Sequence, residues 1–113
     1  MSDSRNTFWQ LLDSSLQNKD FESEFIRESI RINTIDEIVN SLDSARETLG
    51  LSKGNLAKAI GAQSSSVRRL LTTPNQNPTL STVIDLATAM GLTLKIEPLP
   101  AKQQAQLRAA LPL

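Results

Sequence analysis

The chain has no cysteine, no histidine and no tyrosine. Without the first two, Cys/His zinc sites, thiol catalysis and Ser-His-Asp chemistry are excluded. A disulfide framework is excluded as well, which suits a reducing compartment. Aromatic side chains are few, three Phe and one Trp. No apolar run reaches the roughly eighteen residues of a transmembrane helix. The opening residues MSDSRNTFWQLLDSS lack a basic region followed by an apolar stretch, so no secretory signal is read there and a cytoplasmic location is expected. Asp/Glu, Lys and Ser remain as possible catalytic groups. No arrangement of them resembles a site, so neither an enzyme nor a cofactor is expected.

What is present is a modest apolar fraction, 39% of 113 residues, enough for one compact domain with short appendages. The net charge is zero but unevenly spread. Residues 1–44 carry a net charge of −5. Residues 45–73 carry +4, from Arg46, Lys53, Lys58, Arg68 and Arg69 against Glu47, and residues 74–113 carry +1. A protein that binds only DNA usually shows a net basic balance. A basic segment joined to an acidic one points to two different partners, with solvated acidic helix faces as the plain alternative.

Hydrophobic spacing predicts mainly helices. Residues 7–17 read as a short helix, capped by Thr7 and carrying Phe8, Leu11, Leu12 and Leu16. Asp20 reads as the next N-cap, ahead of Phe21, Phe25 and Ile26, with Glu22 and Glu24 favoured by the helix dipole. Thr34-Ile35-Asp36-Glu37 has the capping-box pattern, and Ile35, Ile38, Val39, Leu42, Ala45 and Leu49 trace one apolar face after it. Residues 20–49 therefore read as one bent helix or as two. Gly50 sits where a left-handed C-terminal residue belongs. Ser52 reads as the cap of a short helix bearing Leu56, Ala57 and Ile60, ended by Gly61. A second begins at Gln63 or Ser64 and turns Val67, Leu70 and Leu71 inward. Residues 74–78 form a proline-bounded loop, and a last helix runs from about Thr79 to Met90 until Gly91. Residues 92–97 alternate apolar and polar, the single strand pattern of the chain. Its backbone needs a partner, for which the same strand of a second copy is the first candidate. Residues 101–113 are Ala/Gln-rich, weakly helical, and expected to fray.

Within residues 51–70 lie two short helices around a glycine turn. Ala57 suits a close crossing, and Leu56, Ile60, Val67 and Leu70 can share one small core. The second helix then exposes Gln63, Ser64, Ser65, Ser66, Arg68 and Arg69, short polar residues followed by arginines, which suits a major groove. The pattern Leu-Ser, Leu-Ala, Ile-Gly, Ser, Val, Arg-Leu, continued by Asn77-Pro78-Thr79-Leu80 and residues 87–92, resembles the Cro/cI (Xre-type) helix-turn-helix family over about residues 38–91. The resemblance implies a mainly α fold. It comprises an N-terminal helical extension over 1–33, a helix-turn-helix domain with its C-terminal strand over 34–97, and a tail over 98–113. It also implies that Ser64, Ser65 and Arg69 face base edges, Arg69 toward guanine. Ser52 and Lys53 would meet phosphate, and Gln63, Ser66, Arg68 and Thr72 would flank. Solvated charge for Arg68 and simple capping for the serines are the alternatives. There are departures. Lys53 stands where the family often has Gln, and the 72–77 loop is slightly long. Leu71 replaces an acid that often pairs with the arginine matching Arg46, which leaves Arg46 available to phosphate.

The 70–80 run, the helix after it and residues 91–96 resemble HigA-like addiction-module antidote proteins. That resemblance implies a bacterial antitoxin that binds a RelE/HigB-type ribonuclease toxin and represses its own operon as a dimer. Asp20, Glu22, Glu24 and Glu28 would complement a basic toxin. Phe8, Trp9 and Leu12 are the apolar candidates for the same surface, Trp9 foremost because Trp is enriched at binding hot spots. Core packing is the alternative for the aromatics. A repressor without a toxin and a protein-binding adaptor of helix-turn-helix shape are the alternative functions.

Overall fold

In a computed structural model, residues 4–16 and 23–111 are described. They hold six helices and no strand. These are α1 (Ser4–Leu16), α2 (Ser23–Leu49), α3 (Lys53–Ala59), α4 (Ser64–Thr72), α5 (Leu80–Ala89) and α6 (Ala101–Ala110). No helix among the described residues is long and apolar enough to cross a membrane. The chain divides into two compact units, residues 1–34 with 97–113, and residues 35–96.

The 35–96 unit is built around a core of Val39 and Leu42 from α2, Leu56 and Ala57 from α3, Val67, Leu70 and Leu71 from α4, and Val83, Leu86, Ala87 and Met90 at α5. Ile35, Ile38, Ala45, Leu51 and Ile60 pack against it. Helical spacing selects this apolar set, and it also selects Leu49, Leu80 and Ile84, which are exposed instead. Local chemistry sets the helix ends. Ser52 caps α3, its Oγ accepting from the Asn55 amide at 3.0 Å. Thr79 caps α5, accepting from the Thr82 amide at 3.2 Å. Gly50 ends α2 at φ +69°, with the Leu51 amide donating to the Arg46 carbonyl at 3.1 Å. That left-handed residue reverses the chain direction at little steric cost only because it has no Cβ.

Several expectations need correction. Thr7 lies inside α1 rather than capping it. Residues 23–49 form one helix, so Thr34 and Glu37 are mid-helix and form no N-terminus. Asn33 and Thr34 cost a helix interior only a few tenths of a kcal/mol. Breaking the helix would forfeit several backbone bonds, so continuation wins. Residues 92–97 form no strand, and every residue from 91 to 100 is exposed. Periodicity supplies a pattern, but a strand needs a neighbour to bond, and none is present among the described residues. The tail is not frayed over its length, since α6 packs against α1. In that unit Leu12 and Ile26 are buried, at 5% and 1% exposure.

Candidate nucleic-acid interface

Helix α4 is divided lengthwise. Val67, Leu70 and Leu71 are buried, while Ser65, Ser66, Arg68, Arg69 and Thr72 are exposed and Ser64 is half-buried. Ser65, Arg68, Arg69 and Thr72 fall at i, i+3, i+4 and i+7, so they form one stripe along the outer face. Neither arginine makes an ion pair among the described residues. The Thr72 hydroxyl donates to the Arg68 carbonyl, which spends its proton and leaves its oxygen as an acceptor. Gln63 stands exposed at the N-cap, with extended backbone and no side-chain capping bond.

The turn before α4 brings two helix starts together. Gly61, at φ +68°, lets the Ala62 amide reach back to the Ala57 carbonyl at 2.9 Å. Helices α3 and α4 then pack together over Ala57, whose 1% exposure fits its place at a close crossing. A Cβ built on Gly54, in the first turn of α3, would lie 3.6 Å from Ser64 Oγ and 4.0 Å from Ser52 Oγ. Ser52, Ser64 and the exposed stripe therefore belong to one neighbourhood. Lys53 is half-buried beside Ser52. Sequence reasoning missed Gly54. Both separations are ordinary van der Waals contact, so packing does not require a glycine there, although a glycine inside a short helix costs roughly 1 kcal/mol against alanine.

Arg46 is not available to phosphate. Its Nε donates to Asp43 Oδ1 at 2.9 Å and a terminal nitrogen donates to the Leu51 carbonyl at 2.7 Å. Another nitrogen lies 3.6 Å from Glu47 Oε1, and the side chain is only 13% exposed. The acid missing at Leu71 is replaced by one three residues upstream on the same helix, and Arg46 ties the end of α2 to the approach of α3.

The acidic surface expected in the first third is described in part. Glu24 and Glu28 are exposed and four apart on α2, hence on one face. Asp20, Phe21 and Glu22 lie outside the described residues. Leu12 is core, which removes it from any contact surface. Phe8 and Trp9 are half-buried and meet edge to face, ring centroids 5.3 Å apart at 81°. Trp9 also lines a cleft of about 200 Å³ with Asp13 of α1 and Lys102 and Gln106 of α6.

The chain matches no protein-family model, no curated protein and no solved structure.

Proposed function

We propose that the chain is a DNA-binding antitoxin of Cro/cI helix-turn-helix type, which represses its own operon and neutralises a RelE/HigB-type ribonuclease toxin. The observation that carries the DNA-binding part is the outer stripe of α4. Two arginines and small hydroxyl side chains stand exposed on a helix whose other side is anchored in the core. Such a helix fits a major groove. Arg69 would read guanine O6 and N7, worth roughly 1–3 kcal/mol of discrimination. Ser64 and Ser65 would face bases, Lys53 and Ser52 would hold phosphate, and Gln63, Ser66, Arg68 and Thr72 would contact flanking groups. A dimer joined through residues 92–97 would set two such helices about 34 Å apart on a palindromic operator.

The toxin-binding part rests on the −5 charge of residues 1–44, on exposed Glu24 and Glu28, and on half-exposed Trp9. Acidic surface would speed encounter with a basic ribonuclease. The test is direct. The chain should bind a duplex taken from upstream of its own reading frame at least about a thousandfold more tightly than random duplex. Co-expression with the product of the neighbouring frame should yield a stable complex. Operator binding without any such complex would leave a repressor with no toxin. Complex formation without operator binding would leave a protein-binding adaptor.

A further inference from the structure

The segment 92–100 is exposed throughout, and although Leu94 and Ile96 on the even side also carry amides with no bond among the described residues, the even set is broken at both ends. On the even side, the Leu92 amide already donates to the Ala87 carbonyl at 2.8 Å, and residues 98 and 100 are prolines, which have no amide hydrogen. On the odd side, Thr93, Lys95, Glu97 and Leu99 each carry an amide hydrogen that makes no bond among the described residues. In a strand, alternate residues turn their N–H and C=O groups to opposite edges. Prolines are tolerated where that edge faces away from the ladder. The odd edge is therefore the one with an unbroken run of donors.

We propose that residues 93–99 of two copies pair antiparallel about a two-fold axis at Ile96, with Lys95 of each copy opposite Glu97 of the other. This rests on reading the chain as a two-fold DNA-binding protein and gives that dimer its joint. Two competing registers fare worse. An axis at Lys95 sets like charges directly opposite, which is destabilising. An axis at Leu94 bonds Thr93 to Lys95, but its next odd position is Gly91, whose amide is already donated to the Thr88 carbonyl at 3.0 Å. With the axis at Ile96, the 95/97 and 93/99 pairs each form twice by symmetry. Pro98 and Pro100 fall where no amide is needed. The Leu99 carbonyl accepts from Gln104 Nε2 at 2.8 Å and keeps a second lone pair for the ladder. All the even apolar side chains then share one face. Ile96, which is fully exposed in the single chain, meets its symmetry mate, with Leu92 and Leu94 beside it.

The chain has no cysteine, so a single introduced thiol reports position cleanly. Across the axis, a non-hydrogen-bonded pair sets Cα atoms about 4.5 Å apart, within the disulfide window of roughly 4.4–6.8 Å. Ile96→Cys should therefore crosslink to a covalent dimer under mild oxidation. Leu94→Cys should not, because its two copies lie about 14 Å apart along the ladder. Lys95→Glu should raise the dimer dissociation constant about tenfold, since symmetry counts each contact twice. Adding Glu97→Lys should return it to within about threefold of wild type, by restoring unlike pairs. Crosslinking of Leu94→Cys but not Ile96→Cys, or a wild-type chain that stays monomeric at every concentration up to its solubility limit, would overturn the proposal. So would a double charge swap that is no better than the single. Wild-type operator affinity, measured alongside, separates the two claims. A dimer that binds operator but fails these crosslinks loses only this joint. A crosslinked dimer that ignores DNA keeps the joint and loses the functional reading.

Discussion

Replacing Arg46 with methionine keeps an apolar stem and removes the guanidinium, and the structure fixes what is lost. The bond to the Leu51 carbonyl, at 2.7 Å, is charge-assisted and joins the end of α2 to the residue leading into α3. Bonds of that kind contribute about 1.5–3 kcal/mol net. The Asp43 pair, at 2.9 Å with the acid 26% exposed, adds about 0–1 kcal/mol after solvent screening. Arg46→Met should thus cost about 1.5–4 kcal/mol. In a unit of this size that lowers the melting temperature by at least roughly 6 °C. Thermal and urea unfolding followed by far-ultraviolet circular dichroism would measure it. A second readout tests the other role open to an arginine here. Below the melting range, the salt dependence of DNA affinity should be unchanged, because Arg46 does not reach phosphate. Stability within about 0.5 kcal/mol of wild type, together with a shallower salt slope, would refute the reasoning and return Arg46 to the DNA surface.

Leu86→Ala removes a side chain with 0% exposure and should cost about 2–5 kcal/mol, read as a lower urea midpoint. The two turn-segment glycines should respond with opposite sign. Gly61→Ala has open space but φ +68°, so it should destabilise by about 1–2 kcal/mol. Gly54→Ala meets Ser64 Oγ at an ordinary 3.6 Å in a helical position, so it should stabilise by about 0.5–1 kcal/mol. Leu80→Ala, at 68% exposure, should change stability by less than about 0.5 kcal/mol.

Features set by a few adjacent residues were legible. The Ser52 cap, the left-handed Gly50 and the apolar side of α4 each follow from local sterics and spacing. Features set by distant partners were not. The capping-box letters at Thr34 and Glu37 describe what a helix start can use, but they do not force a start where the helix can continue. Ala/Gln-rich composition gives α6 its propensity, yet only packing against α1 fixes it, and no local pattern encodes that. The strand pattern at 92–97 has no strand neighbour among the described residues. At the candidate interface, the exposed polar positions of α4 were readable from period alone. The fate of Arg46 was not, because Asp43 supplies the acid from one turn upstream.

The central claim is that the outer face of α4, with the start of α3, holds DNA. The most direct measurement is the salt dependence of affinity for duplex from upstream of the chain's own frame, for wild type and for the Arg68→Ala/Arg69→Ala double variant. If Lys53 and Arg68 of two copies each neutralise one phosphate, log affinity should fall with log salt at a slope of about −4. The double variant should bind at least about tenfold more weakly with a visibly shallower slope. A wild-type affinity that barely changes with salt, or a double variant that binds operator as wild type does, would contradict the account.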